Sequence, residues 1–324
     1  MNKEIWKDII GYEGLYQVSN LGRIKSLPKF HKTNTTGYMQ EEKILKQVVG
    51  IKTYMYVALY KNKIQKLKRV HCLVAEAFLN RNDFKYYLDY SIGFVTRGCF
   101  RQCQFCVNKN YKKVEVHSPL DEFVDYSRKK ICLLDDNFFG CPDWKDILSQ
   151  LQATEKSFQF KQGLDERLLT DEKCEMLFKS KYDGDYIFAF DNVADYELIE
   201  RKLQLLRKYT DKYPKFYVFC GFDRDDKWDD EFWKQDIFDM FKRIELLMKY
   251  HCLPYIMRFN RYLESPYQGV YKTVAAWCNQ PSFFKKKSLR EFGEANGSDS
   301  ARNKYIVDFE EKYPDFKKYM DMKW

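Results

Sequence analysis

Glycine and proline are scarce in this chain, with 14 and 8 residues among 324. Long flexible linkers and low-complexity tracts are therefore excluded as major components. No apolar run reaches the length that spans a membrane. Residues 1–6 also lack the apolar stretch of a secretory signal. We expect a soluble, cytoplasmic protein with no membrane partner.

The composition is that of a globular protein. Apolar residues make up 45% of the chain, charged residues 32% and aromatic residues 18%. A length of 324 residues suits two domains better than one. Ten cysteines in a cytoplasmic chain indicate metal or redox chemistry before disulfides.

Positive charge is concentrated in the first quarter of the chain. Residues 1–83 contain 15 Lys and Arg against 7 Asp and Glu, whereas the remaining residues contain 41 against 40. This asymmetry predicts a basic module joined to a nearly neutral one. The basic module is a candidate for contact with phosphate backbones, although Lys-rich stretches are often only solvated surface.

The basic module, residues 1–83, has the pattern of a small β-rich domain. Residues 16–18 and 23–27 are short strands around the turn at residues 19–22. A longer hairpin is predicted from residues 54–60 and 66–70, with Lys61-Asn62-Lys63 as its turn. A short helix over residues 71–79 follows.

From residue 84 onward, short apolar runs alternate with amphipathic helical stretches. The runs lie at residues 92–96, 131–134, 158–160, 186–190, 216–220 and 255–259. The helical stretches lie at 120–129, 144–151, 172–179, 196–209 and 232–250. The repeated βα units predict an α/β fold over residues 84–285, either a parallel sheet or a barrel. With six units, the barrel would be a partial (β/α)6 TIM-like barrel and not a complete one of eight. Residues 286–324 are predicted to be a polar, partly helical tail.

Three cysteines follow the first strand of this series. Cys99, Cys103 and Cys106 have the spacing C-x3-C-x2-C, and the aromatic residue Phe105 precedes the third. A zinc site is the weaker explanation, because zinc prefers four ligands and the nearest histidine, His117, lies beyond the loop. Three thiolates on one loop suit a [4Fe–4S] cluster with one iron left open.

This motif resembles that of the radical S-adenosylmethionine (radical SAM) enzymes. The resemblance implies that Cys99, Cys103 and Cys106 bind the cluster, that the open iron binds S-adenosyl-L-methionine, and that Phe105 lies near the adenine. Such enzymes cleave the cofactor to a 5′-deoxyadenosyl radical, which abstracts hydrogen from substrate. The resemblance also implies a one-electron donor such as flavodoxin or ferredoxin. It identifies neither the substrate nor a catalytic residue.

Polar residues follow the later strands, where ligands of parallel sheets bind. For any one of them, helix capping or turn stabilisation is the alternative role. Radical SAM proteins usually carry a Gly-Gly-Glu-like segment after strand two, and this chain departs from that pattern. Candidate cofactor contacts are therefore Asp135, Asn137, Gln162, Asp165, Arg167 and Arg258. Segments between residues 133 and 279 also resemble an uncharacterised bacterial and phage subgroup.

The segment Trp6-Lys7-Asp8 through Ser26-Leu27 resembles the nuclease-associated modular DNA-binding domain of phage homing endonucleases. Residues 70–80 resemble the opening of the HNH nuclease core of the same proteins. The second histidine and the asparagines of that core do not follow. His71 is therefore interpreted as structural, and cleavage is not expected. Candidate DNA contacts are Arg23, Lys25, Lys29, Lys61, Lys63, Lys66, Lys68 and Arg69.

Two functions remain open for the whole chain, which has the character of a phage or mobile-element protein. The favoured interpretation is a radical SAM enzyme that carries a DNA-binding module. The alternative is a DNA-binding relic of a homing endonuclease, fused to an inactive or incomplete radical SAM barrel.

Overall fold

Two units make up the fold, residues 1–88 and residues 89–324, and each has its own hydrophobic core. The computed structural model describes residues 4–32, 37–49, 54–62, 64–78, 89–108 and 110–324. The predicted boundary between residues 83 and 84 lies outside the described residues. No helix in the described ranges is long and apolar enough to cross a membrane.

The first unit consists of short antiparallel strands and one helix. Strands β1, β2, β3 and β6 form one sheet, β7, β8 and β9 form a second, and β4 and β5 pair as a hairpin. The elements are β1 (Trp6–Asp8), β2 (Tyr16–Ser19), β3 (Ile24–Ser26), β4 (Lys29–Lys32), β5 (Gly37–Gln40), β6 (Lys43–Ile44), β7 (Val48–Val49), β8 (Met55–Lys61), β9 (Ile64–Arg69) and α1 (Val70–Phe78).

The predicted turn at residues 19–22 joins β2 to β3. The Ser19 hydroxyl accepts the backbone N–H of Leu21 at 3.2 Å and of Arg23 at 3.0 Å. Gly22 has a φ of +80°, which favours glycine. Val18 and Ile24 on either side of the turn are fully buried in the core of the unit. The predicted strands are confirmed here.

The predicted hairpin and helix are also confirmed, as β8, β9 and α1. Val57 and Leu59 of β8 alternate with less buried residues and are fully buried in one core with Val70 and Leu73 of α1. Lys63, in the predicted turn, lies outside the described residues.

The second unit alternates strands with helices as far as β17 and ends in helices. Its strands are β10 (Tyr90–Gly93), β11 (Thr96–Arg97), β12 (Glu115–Val116), β13 (Lys130–Leu133), β14 (Ser157–Phe160), β15 (Ile187–Ala189), β16 (Lys215–Cys220) and β17 (Leu253–Arg258). Its helices are α2 (Trp144–Ala153), α3 (Asp171–Lys179), α4 (Tyr196–Arg207), α5 (Asp230–Lys249), α6 (Gln268–Cys278), α7 (Pro281–Phe284), α8 (Leu289–Glu294), α9 (Ala301–Lys312) and α10 (Lys317–Met320).

Six of these strands are parallel and follow chain order. β10, β13 and β14 form one sheet, and β15, β16 and β17 form another. Single parallel bridges, Phe158 with Tyr182 and Leu164 with Phe188, join the two series. In the described part of the chain β10 does not pair with β17, so no closed barrel forms there. Within each sheet, the carboxyl ends of the strands lie at one edge.

The prediction of a helix over residues 120–129 is wrong. Only the single 3-10 turn Leu120–Glu122 forms, and bends follow it. The Asp125 carboxylate accepts both the backbone N–H of Ser127 at 3.0 Å and its hydroxyl at 2.6 Å. Such local side-chain bonds compete with helical hydrogen bonds.

Residues 286–324 do not form a separate polar tail. They fold as α8, α9 and α10, and most of their aromatic side chains belong to the core of the second unit. Phe316 is fully buried, with its ring 4.8 Å from that of Phe241 and 4.9 Å from that of Phe309. Charged residues are frequent between these aromatic residues, so the sequence does not show that the segment has an apolar face.

We predict that Phe316→Ala lowers the free energy of unfolding by about 3–5 kcal/mol, because it leaves a cavity in this core. Phe283→Ala is the control, since Phe283 is 38% exposed. Urea unfolding of both variants measures the difference. Equal small losses would mean that the terminal helices contribute little to the core.

Candidate functional site

The cysteine loop, residues 98–114, leaves β11 and returns to β12. These strands pair antiparallel, so the two ends of the loop are held side by side. Gly98 opens the loop with a φ of +101°, and a Cβ there would collide with the backbone carbonyl of Lys113. Glycine is therefore required where the loop begins.

The thiols of Cys99, Cys103 and Cys106 are partly exposed, and all three belong to the cysteine loop. Burial raises the pKa of Cys103, and the nearby charges of Asp191, Cys99 and Cys106 raise it further. Backbone N–H groups also point at two of the sulfurs. Cys99 Sγ lies 3.4 Å from the Arg101 nitrogen, and Cys106 Sγ lies 3.4 Å from the Asn108 nitrogen.

No group of three or more His, Cys, Asp or Glu side chains in the described ranges is arranged to hold a single metal ion. A four-iron cluster has a different requirement, because each thiolate binds its own iron and the sulfurs need not converge on one point. The three partly exposed thiols of the loop, two of which face a backbone N–H, are the candidate ligands for such a cluster. The arrangement does not fit a mononuclear zinc site.

A cavity of about 400 Å³ lies at the carboxyl ends of the parallel strands, against the cysteine loop. It is polar, and its walls come from the loop and from the segments after β14, β15 and β16. Lining residues are Arg101, Gln102, Cys103, Gln104, Phe105, Glu166, Arg167, Ala189, Asp191, Asn192, Asp195 and Arg224. The position matches the general location of ligand sites in parallel α/β folds.

Asp165, after β14, lies between two arginines of the cavity wall. Its carboxylate accepts from Arg101 Nε at 2.7 Å and from Arg167 Nε at 2.8 Å. Burial alone would raise the pKa of Asp165, but the hydrogen bonds and charges of Arg167 and Arg101 hold it below its ordinary value. Arg167 also pairs with Asp195 at 3.1 Å. A charged network thus connects the cysteine loop with the segments after β14 and β15.

Glu166 is buried beside this network. Its Oε2 accepts the backbone N–H of Ala189 at 3.0 Å. Burial raises the pKa of Glu166 to about 8, and the charge of Asp165 contributes. The side chain therefore keeps its proton to a higher pH than a solvent-exposed glutamate does.

Phe105 forms an apolar part of the cavity wall. Its ring centroid lies 4.2 Å from that of Phe219 and 5.8 Å from that of Phe222. A flat aromatic surface beside a polar cavity suits a planar ring system.

Two side chains of α5 hold the strand ends in place. Arg243, 2% exposed, donates through one guanidinium nitrogen to the carbonyls of Phe190 at 3.0 Å and Phe219 at 2.8 Å. Asp236 accepts the backbone N–H of Gly221 at 2.8 Å. Neither residue was among the candidates of the sequence analysis, because a charged residue within a helix reads as solvated surface.

The structure separates the predicted cofactor contacts into two groups. Phe105 and Arg167 line the cavity, and Asp165 binds two of its arginines. Asp135 and Asn137 are buried and are not among the lining residues. The exposed Gln162 and Arg258 do not line it either, and the Arg258 guanidinium lies 4.6 Å from the Tyr262 ring.

Three predicted DNA contacts of the first unit are engaged within the protein. Arg23 pairs with Glu4, and Lys25 pairs with Glu42 at 2.9 Å. Lys61 donates to the Gly11 carbonyl at 2.6 Å.

The other predicted DNA contacts are less constrained. Arg69 donates to the Tyr56 hydroxyl at 3.2 Å. Lys29, Lys66 and Lys68 form no ion pair with another described residue. Lys63 lies outside the described residues.

A groove of about 500 Å³ in the first unit adds two lysines that the sequence analysis did not select. Lys43 and Lys46 line it with Lys29, and Tyr16 and Tyr60 form part of its wall. The cations come from β4, from β6 and from the segment after β6, so only the folded unit brings them together.

His71 shows no metal-binding environment. It is exposed, with its ring 5.0 Å from that of Tyr54. Among the described residues, it belongs to no group of three or more His, Cys, Asp or Glu side chains that could hold a metal ion. Its predicted non-catalytic role remains a prediction.

Comparisons with known proteins concern the beginning of the chain. Residues 4–60 match the NUMOD4 motif. A solved structure titled "DNA binding and cleavage by the HNH homing endonuclease I-HmuI" is 38% identical, with a TM-score of 0.18. The match covers 23% of this chain and 36% of that one, so the chain spans about a third of its length. No curated protein matches. The first unit therefore carries a nuclease-associated motif, as the sequence predicts.

We predict that Glu166→Gln changes how stability depends on pH. The pKa of Glu166 is about 8 in the folded chain against 4.5 for the free group. The folded chain therefore binds more protons between these values, and wild-type stability falls as pH rises through this range. Glu166→Gln cannot ionise at this position and does not lose stability in this way. The urea midpoint of the variant, relative to that of the wild type, should therefore rise from pH 5 to pH 8.

Glu122→Gln, which changes an exposed carboxylate, is the control for this experiment. A constant difference between Glu166→Gln and wild type across the range would show that Glu166 is ionised in the folded chain.

Proposed function

We propose that the first unit binds DNA and that the chain does not cut it. This is the alternative interpretation of the sequence, and the matches to a nuclease-associated motif and to a homing endonuclease support it. The observation that carries it is the lysine-lined groove of the first unit within the matched segment. Lysines of this kind bind phosphates through charge and release condensed counterions.

The expected binding is weak and poorly specific, because the rest of a nuclease is missing. Phosphate contacts position a protein on DNA without reading its sequence. The sequence lacks the second histidine and the asparagines of the HNH core. Without these residues the chain has no means to position a metal ion and a water for hydrolysis.

We predict that changing Lys29, Lys43 and Lys46 together to alanine weakens DNA binding by the full chain. If each lysine contacts one phosphate, the slope of log affinity against log salt should fall by about 3. Gel-shift titrations at low and moderate salt measure this slope.

The matched control changes three exposed lysines of the second unit, Lys304, Lys317 and Lys318, to alanine. An equal effect of both triple variants would indicate general charge and not the groove. Magnesium-dependent nicking of plasmid that disappears in His71→Ala would contradict the absence of cleavage.

A specific observation favours a second function for residues 89–324. The cysteine loop borders a polar cavity at the carboxyl ends of β14, β15 and β16, which are three of the six parallel strands. We propose that this unit is a partial (β/α)6 barrel of radical SAM type. Cys99, Cys103 and Cys106 would hold a [4Fe–4S] cluster, and the cavity would hold S-adenosyl-L-methionine.

The residues of the cavity suit that cofactor. Phe105, whose ring packs against that of Phe219, offers an apolar wall to an adenine ring. Arg167, oriented by Asp165 and Asp195, provides a guanidinium for a carboxylate. When bound, the cluster and cofactor supply the reductive cleavage of a carbon–sulfur bond. A flavodoxin or ferredoxin is the proposed electron donor.

We predict that Cys103→Ala abolishes the uptake of iron during anaerobic reconstitution. Cys132→Ala is the matched control, because Cys132 is also partly buried and burial raises the pKa of its thiol too. Iron content and the brown absorbance measure the outcome. If a variant in which Cys99, Cys103 and Cys106 are all replaced by alanine still bound four irons, the assignment of these cysteines as cluster ligands would be wrong.

A further inference from the structure

Three successive residues after β13, Asp135, Asp136 and Asn137, contact the chain at three positions near the start of the cysteine loop. Asp135 accepts the backbone N–H of Thr96 at 2.5 Å and its hydroxyl at 2.6 Å. Asp136 accepts the backbone N–H of Gly98 at 3.0 Å. The side-chain nitrogen of Asn137 lies 3.4 Å from Cys99 Sγ.

These contacts leave Asp135 and Asn137 little access to a ligand. Asp135 is 1% exposed and Asn137 is 3% exposed, and neither lines the cavity. The Asp135 carboxylate also lies 3.4 Å from the backbone nitrogen of Val95. Its oxygens are therefore directed at the chain that enters the loop.

We propose that Asp135, Asp136 and Asn137 form a clamp that fixes the cysteine loop before any cofactor binds. They are positioning residues and do not contact the amino group of the cofactor. The inference about cluster properties rests on the function proposed for the second unit, whereas the contacts of the clamp involve only the chain's own residues. It replaces the candidate cofactor role of Asp135 and Asn137.

The orientation of the Asn137 amide supports a role toward sulfur. Its nitrogen faces two acceptors, Cys99 Sγ and the Asp165 carboxylate, each at 3.4 Å. Turning the amide over would place its oxygen against that carboxylate. The oxygen is buried and has no hydrogen-bond partner among the described residues, which costs free energy. The Asn137 amide therefore keeps the orientation in which its NH2 group faces Cys99 Sγ and the Asp165 carboxylate.

A hydrogen bond to a cysteine sulfur stabilises negative charge on it. In iron–sulfur proteins such bonds raise the reduction potential of the cluster. Asn137 therefore fixes the position of Cys99 and favours the reduced state of a cluster bound there.

The clamp is tested first on the iron-free full chain by amide hydrogen exchange. Asp136→Ala should speed exchange of the Gly98 amide about tenfold, the factor expected for one lost hydrogen bond to a charged group. Asp136→Asn keeps an acceptor oxygen and should restore most of the protection. Asp146→Ala, an exposed carboxylate on α2, is the control. Unchanged exchange at Gly98 in Asp136→Ala would overturn the clamp.

The second measurement is the reduction potential of the reconstituted chain. Asn137→Ala should shift the one-electron equilibrium about tenfold toward the oxidised cluster, or about 59 mV lower. Unchanged potential together with weaker S-adenosyl-L-methionine binding would overturn the proposal and make Asn137 a cofactor contact. If the wild-type chain took up no iron, this result would contradict the proposed cluster but not the clamp. The hydrogen-exchange experiment on the iron-free chain would still test the clamp.

Discussion

The ion pairs of Asp165 hold the second unit's site together. A single carboxylate receives Arg101 from the cysteine loop and Arg167 from the segment after β14. Removing it would leave two guanidinium groups side by side in a partly buried wall, which costs more than the pair contributes. The position of the loop over the strand ends, and with it the shape of the cavity, depends on this carboxylate.

The two units carry different chemistry. The first presents lysines on short antiparallel strands, and its identity as a nuclease-associated module rests on the motif in residues 4–60. The second places polar groups and thiols at one edge of parallel strands. The functions proposed for the chain therefore rest on two separate features, a lysine-lined groove in the first unit and a polar cavity beside three cysteines in the second.

The sequence predicts those features that depend on local patterns. Alternating apolar residues locate β2, β3 and β8, and the cysteine spacing identifies the loop that borders the cavity. It does not reveal contacts between distant segments. Arg101 and Glu166 acquire their roles only when the loop meets β14 and β15, and the buried α8–α10 segment resembles a polar tail. Asp135 shows the same limit, since its strand-end position suggests a ligand contact and its actual partner is Thr96.

The central claim for the second unit is that the cysteine loop and the cavity together activate S-adenosyl-L-methionine. The most direct measurement is the formation of 5′-deoxyadenosine by the full chain, reconstituted anaerobically with iron and sulfide and supplied with the cofactor and a strong reductant. The account predicts formation of this product by the wild-type chain and none by Cys103→Ala. Wild-type chain that carries a complete cluster but forms no 5′-deoxyadenosine would contradict it.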